Sequence, residues 1–419
     1  MKKTLVVLLI LAVAGGVFAQ EVSWSGGVHG RSTIISGTTN KTPEPSSQTE
    51  DEAKDFMYAG AGMSRLRIEV AGQNDEGTFG AWLRFDANNN AAQGKAWWKP
   101  IDMLKLQLGG NSDGEFNKDG FAAWGFNNNA NDAGVAVDGF GGAAAFYGGS
   151  GGLGTYLFLT PVDGLEISIA VPKDSGLTDP EPTVNPYKSL SFTGFLYDKT
   201  QAQVAYTMEG LGTFALTYAG GRGTVASYTA PTTSAPSYKV SGNGAALYAF
   251  ADLTMIENLG LNVGLKYTMP AKQDGGWTYN APVAVGVAAS YDISDEFGVK
   301  LRTQVELAGK AKPNSGDSVK LPMVFGLDVL PYYAVSESMT AFLNAGFKYT
   351  AKEKDVGMDG AFLDWFLNPY MCIAEGPGAF YAGFKLEGTG ERKYKVGNLS
   401  GKADSFIDWS IPIGILFSF

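Results

Sequence analysis

The residues that could do covalent or metal chemistry are few. His29, in Val28-His29-Gly30-Arg31, is the only histidine of the chain, and Cys372 is the only cysteine. One cysteine excludes an internal disulfide and a Cys-rich metal site. A histidine can act as general base beside a Ser or Asp, but no G-x-S-x-G nucleophile motif accompanies His29. The expectation is a wall residue in a first strand, with no enzyme activity, no cofactor and no metal. Glu44, Glu50, Asp51, Glu52 and Asp55 lie beside Pro43 and Pro45. Their spacing matches no twelve-residue Ca²⁺ loop with its central Gly, so they read as a solvated surface loop.

A second set of charges recurs at a spacing of two. In Arg65-Leu66-Arg67-Ile68-Glu69-Val70 the charges take one face and the aliphatics the other. Leu104, Leu106 and Leu108 enclose Lys105 and Gln107, and Leu165, Ile167 and Ile169 enclose Glu166 and Ser168. Leu259 to Tyr267 repeats the pattern around Asn262, Gly264 and Lys266. The clearest stretch is 297–307, where Phe297, Val299, Leu301, Thr303, Val305 and Leu307 oppose Lys300, Arg302, Gln304 and Glu306. Successive side chains of a strand point to opposite faces, so these are amphipathic strands.

The elements that carry these residues are strands throughout. After the first twenty residues no run of eighteen apolar residues occurs, which argues against spanning helices. Gly is plentiful at 56 residues, aromatics reach 12%, and charged residues are only 18%. With a mean hydropathy of −0.05, that mixture is too apolar for a disordered chain. Short turns are expected at 73–77, 100–102, 256–260, 293–297, 335–338 and 375–378. Longer polar stretches fall at 37–60, 220–243, 269–281, 309–319, 351–365 and 388–404. Long and short alternate from about 244 onward and lose phase around 161–212. The Pro-rich 172–187 and the Thr/Ser/Pro-rich 229–237 read as solvated loops.

The two ends say where the chain goes. Residues 1–19, MKKTLVVLLILAVAGGVFA, have a basic start, an apolar stretch from Leu5 to Ala14, and small residues around Val17-Phe18-Ala19. That is a secretory leader cleaved near Ala19. The apolar stretch is short against the roughly 20 residues a membrane helix needs. Losing Lys2 and Lys3 takes the formal charge from −10 to −12. Such an acidic balance argues against nucleic acid as partner. It is compatible with a mild cation preference in a pore. At the other end, Ile407, Trp409, Ile411, Ile413, Ile415, Phe417 and Phe419 alternate with Asp408, Ser410, Pro412, Gly414, Leu416 and Ser418. Pro412 cannot donate to a ladder and falls on the less apolar face, where a bulge or a solvated gap would absorb it.

Taken together, the leader, the period-two pattern and a final strand ending in Phe resemble bacterial outer-membrane β-barrel proteins of the general porin-like kind. The resemblance implies an all-β, closed antiparallel transmembrane barrel as a single domain over 20–419. About 18 strands are expected, with 16 to 20 admissible, linked by long outer loops and short periplasmic turns. It turns the sheet inside out, with the apolar face toward lipid and the charges toward enclosed water. Arg65, Arg67, Glu69, Arg84, Asp86, Lys105, Lys266, Lys300, Arg302 and Glu306 then line a pore. Trp409, Phe417 and Phe419 form the signal read by the barrel-assembly machinery. Trp24, Trp97, Trp98 and Trp409 belong to the interface girdles. The implied partners are outer-membrane lipid, the secretion and barrel-assembly machinery, small polar solutes, and the other copies of a homotrimer. The implied function is passive diffusion of small polar solutes and ions. A surface adhesin or antigen barrel, and a selective channel for more hydrophobic ligands, are the alternatives. Segment 111–152, rich in Gly and Asn, reads as two weak strands, an outer loop, or a loop folded into the channel and docked by Phe116, Phe121, Trp124 and Phe126.

Overall fold

A computed structural model describes residues 21–40, 55–56, 62–86, 91–110, 130, 133–137, 139–140, 154–172, 200–223, 244–269, 277–280, 283–307, 309–313, 319–396, 399–403 and 405–418. The leader, most of the acidic stretch 41–54, the four aromatics at 116–126, the 172–187 and 229–237 loops beyond Pro172, and Phe419 lie outside these residues.

Eighteen strands form one closed antiparallel ring. They are β1 (Glu21–Asn40), β2 (Gly62–Gln73), β3 (Phe79–Asp86), β4 (Ala91–Ile101), β5 (Leu104–Gly110), β6 (Gly154–Val162), β7 (Leu165–Pro172), β8 (Gln201–Met208) and β9 (Gly212–Gly223). The second half is β10 (Gly244–Leu253), β11 (Leu259–Thr268), β12 (Val283–Asp292), β13 (Phe297–Glu306), β14 (Val324–Ser336), β15 (Met339–Thr350) and β16 (Phe362–Glu375). β17 is interrupted at Phe384 (Gly378–Gly383, then Lys385–Thr389), and β18 is Phe406–Ser418. Each strand pairs with its neighbours in sequence, and β18 closes on β1 from Gly27↔Ser418 to Asn40↔Phe406. Closure leaves no free sheet edge, which lipid requires. Pro412 sits opposite Thr33, and the register shifts by one residue between Thr33 and Ile35. The missing proline donor is therefore taken up by a β-bulge on the partner strand.

The two faces have opposite chemistry. On the outer face Leu108, Leu216 and Ile415 are 64%, 57% and 58% exposed. On the inner face the polar side chains of Gln203, Asn262 and Asn368 are almost wholly buried. A soluble sandwich would reverse this, because apolar surface left in water costs about 25 cal/mol per Å². Around Arg302 the assignment is direct: it pairs with Asp328 inside the ring, so Val299, Leu301 and Val305 of the same strand face out.

Short and long connections alternate around the ring except at 87–90, including the region where the sequence loses phase. Short turns lie at 74–78, 102–103, 163–164, 209–211, 254–258, 293–296, 337–338 and 376–377. The other end carries 87–90 and the long connections. The turn at 163–164 is tight because Gly164 takes a left-handed φ of 79°. The eight short turns hold nine carboxylates, among them Asp75, Asp163, Glu257 and Glu337, and no Lys or Arg. Exposed aromatics band the rim next to them: Phe79, Trp98, Tyr206, Tyr291, Tyr333 and Phe417. This is an interface girdle. Trp98 stacks on Phe79 there, with centroids 6.0 Å apart. Trp97 does not belong to the girdle. It pairs with Gly80, on the inner face shared with Arg84, and its ring occupies the space a side chain at Gly80 would need. Adjacent tryptophans in one strand must face opposite ways, so only one of the two can meet lipid. Trp409 stands over Gly37 on the outer face, and the side chain of Trp24 lies outside the described set.

The long connections are not shapeless. Trp277–Asn280 pairs with Lys310–Pro313, which pairs in turn with Val319–Lys320, and Arg392–Val396 pairs with Leu399–Ala403. Connections 307–323, 351–361 and 390–405 interlock. The Lys395 amide donates to the Gly357 carbonyl (2.7 Å), the Asp359 amide to the Lys393 carbonyl (2.9 Å), and the Lys320 amide to Asp355 Oδ2 (3.0 Å).

Candidate functional site: a docked segment and a charged inner wall

Between β5 and β6 runs the longest connection, 111–153, and its described part lies inside the barrel. Ala130, Ala133, Val135 and Ala136 pack against Leu330, Tyr370, Tyr381 and Leu416 of the β14–β18 wall, with Phe342 and Cys372 flanking. Three polar side chains on three successive strands hold its backbone. The Val137 amide donates to Asn368 Oδ1 (3.0 Å), and Asn368 Nδ2 donates to the Val135 carbonyl (3.1 Å) and to the Phe384 carbonyl (2.9 Å). Asn344 Nδ2 donates to the Val137 carbonyl (3.0 Å). The Phe140 amide donates to Asp328 Oδ1 (2.7 Å). Asn344 and Asn368 are direct cross-strand partners, so the register of β15 on β16 builds the slot. Asp328, Asn344 and Asn368 are all fully buried. Without these bonds each would carry a desolvation cost of about 1–3 kcal/mol.

Backbone room matters as much. Gly414 on β18 faces the Ala133 carbonyl so closely that any Cβ there would collide with it. Gly134, at φ 75°, turns the segment in the left-handed region against the Arg31 side chain.

The inner wall beside this segment carries a continuous chain of contacts. Arg302 Nε donates to Asp328 Oδ2 (2.7 Å), whose other oxygen holds the Phe140 amide. Lys348 Nζ lies 4.9 Å from the centre of the Phe140 ring and 3.1 Å from Asp364 Oδ2. Arg392 Nη2 reaches Asp364 Oδ1 at 3.4 Å, with its guanidinium over the Phe362 ring at 4.6 Å. Around the ring, β2–β4 hold a ladder. Arg84 Nε donates to Glu69 Oε1 (2.7 Å), Trp82 Nε1 to Glu69 Oε2 (3.2 Å), and Arg67 Nη2 reaches Asp86 Oδ2 (3.5 Å). Arg84 and Lys95 both lie over the Trp82 ring, at 4.9 and 5.6 Å.

The charges named from sequence are thus distributed, not gathered. Arg67, Glu69, Arg84 and Asp86 form one cluster. Lys105 lies over the Phe158 ring at 4.0 Å. Lys266 and Glu306 flank Ala284 from the two neighbouring strands. Lys300 is opposite Ser290, two residues from Arg302 on the same face. Arg65 pairs with His29, and nothing is described of its side chain. His29 is buried on the inner wall. Phe417 is exposed on the outer face. Missed from sequence were Asp328, Asn344, Asn368, Lys348, Asp364 and Arg392. A visible signal existed for the two asparagines, single amides set in apolar runs (Phe342-Leu343-Asn344-Ala345 and Leu367-Asn368-Pro369). Only the register shows that they sit side by side.

In the outer connections Lys352 Nζ bonds Asp359 Oδ1 at 2.8 Å. That hydrogen bond and its charge hold the Asp359 carboxyl below the ordinary range.

No protein-family model matches the chain. No curated protein matches it by sequence. Solved structures do resemble it in outline. The outer membrane channel DcaP of Acinetobacter baumannii is 11% identical, with 96% of this chain and 98% of that one covered at a TM-score of 0.47. Salmonella typhi OmpF, in complex with daunomycin, is 11% identical over 95% and 97%, also at 0.47. Pseudomonas aeruginosa OccK11 is 9% identical over 96% and 97%, at 0.48. At that identity the likeness concerns the fold alone.

Proposed function

We propose that this 18-stranded outer-membrane barrel is a water-filled channel for passive diffusion of small polar solutes and ions, narrowed from within by the 130–140 segment. The observation that carries it is the docking of that segment's backbone onto Asp328, Asn344 and Asn368 inside a ring whose apolar face points outward. A barrel of about 16–18 strands encloses an aqueous interior, whereas about eight would be filled by side chains. Ion pairs such as Arg84–Glu69 and Arg302–Asp328 on the inner face suit a wet lumen. The leader cleaved near Ala19, the assembly signal at Trp409, Phe417 and Phe419, and a homotrimeric assembly belong to the same proposal.

Purified protein in a planar bilayer is expected to give stepwise conductance. Deleting 133–137 is expected to enlarge the step. No conductance from folded protein would overturn the channel, and an unchanged step after the deletion would remove the narrowing role.

A further inference from the structure

The net charge of the chain misleads about its interior. The 18 strands contain 13 Lys and Arg against 12 Asp and Glu. Beyond the leader the chain has 30 basic and 42 acidic residues, so the whole acidic surplus sits in the connections and ends. Within the strands the two signs do not differ in access everywhere: Glu69 is 22% exposed against 10% for Arg84, and Glu387 on β17 is exposed. Along the contact chain at the docked segment, the acids are sequestered. The Asp328 side chain is 0% exposed and held by Arg302 and the Phe140 amide. The Asp364 side chain is 8% exposed and shared by two bases. Those bases remain open, with Lys348 36% and Arg392 41% exposed. Arg31, against Gly134, is exposed as well. Above them the hairpin that begins at Arg392 adds Lys393 and Lys395, anchored by backbone bonds to 357–359. Lys393 is 61% exposed and lies 3.2 Å from Glu391 Oε1, a carboxylate that is itself 37% exposed.

Resting on the channel reading above, we infer that the β13–β18 wall is an anion-selecting lane. It runs from the 392–396 hairpin through Arg392 and Lys348 to the docked segment, and favours small anions over cations of the same size. The physical basis is that a passing ion senses the charges it can approach. A carboxylate buried under two bases offers no site to a cation, while the side chains of both bases stay partly exposed. Fixed charge in a confined passage with low-dielectric walls raises the local concentration of the opposite sign. The carboxylates at the rims act over one screening length only, so they lose influence as salt rises.

The test is the reversal potential of single channels in a KCl gradient from about 1 M to about 0.1 M, where screening lengths are about 3 and 10 Å. Wild-type protein is expected to pass chloride about 3-fold more readily than potassium, a modest value for steering by a charged cleft. In Lys348→Gln/Arg392→Gln both partners of Asp364 are gone, its carboxylate becomes accessible, and the preference is expected to invert. Adding Asp364→Asn should bring the ratio back toward one. Arg31→Gln, on another strand, should lower the chloride preference if the double variant does not assemble. A wild-type channel that prefers potassium, or a double variant with the wild-type ratio, overturns the lane. Absence of any conductance strikes instead at the channel.

Discussion

Asn368 does the work of a short strand edge. It accepts one amide of the docked segment, donates to one of its carbonyls, and spends its remaining donor on Phe384, where β17 breaks. Asn368→Ala removes all three bonds and leaves buried backbone groups unpaired, at about 1–3 kcal/mol. The expected outcome is a larger and noisier single-channel step. Cys372 provides an independent readout. It is the one thiol, on the inner face of the same strand, and packs against the cluster that includes Val135. A water-soluble maleimide should modify it slowly in the wild type and several-fold faster in Asn368→Ala; equal rates would contradict docking by this residue. The tryptophans give a second residue-scale prediction. Brominated lipid should quench fluorescence lost in Trp98→Phe and leave the contribution lost in Trp97→Phe, since only Trp98 faces out. In the sequence the pair reads alike, Trp-Trp in a strand. Which of the two faces lipid depends on the phase of β4 against β3, fixed by Gly80↔Trp97.

At the scale of elements, the docked segment and β18 are fitted to one another through Gly414. Gly414→Val places two methyls where the Ala133 carbonyl lies. Because β-branched residues suit strands, the variant is expected to keep a folded barrel and lose the docked segment. Conductance should rise by about as much as in the 133–137 deletion, and a step of wild-type size would show that the segment docks without this contact. The outward face and alternation of β18 were legible from sequence, and the missing donor of Pro412 left a bulge or a solvated gap, of which the structure has the bulge, on β1. Also legible were β2, β5, β7, β11 and β13, where a charge, an amide, a serine, a glycine or an alanine separates successive outward residues. Legibility failed where the inner face is not polar. In β6, Tyr156 and Phe158 face inward between the outward Leu157 and Leu159, so the stretch Tyr156 to Leu159 shows no alternation in hydropathy. β10 has alanines on both faces and its aromatics, Tyr248 and Phe250, inward, to the same effect. The phase of long and short connections was lost across this region, although the structure keeps it.

For the whole molecule, closure is what converts strand patterning into function. A ring of 18 has two ends that differ in chain length per connection, and the difference fixes which rim carries the interlocked hairpins. The candidate site was legible only as a class: the sequence locates the charged face of single strands, while a site needs three to five strands side by side. Asp328, Asn344 and Asn368 are separated in sequence yet meet one segment more than 180 residues away. No period-two reading reaches that far. The collar of nine carboxylates on the short turns has an electrical consequence of its own. Nine carboxylates without a single base set this mouth apart from the opposite one, where both signs mix. On the channel reading, single-channel current at equal and opposite voltages is expected to differ at low ionic strength, and the asymmetry is expected to fade as salt screens the collar.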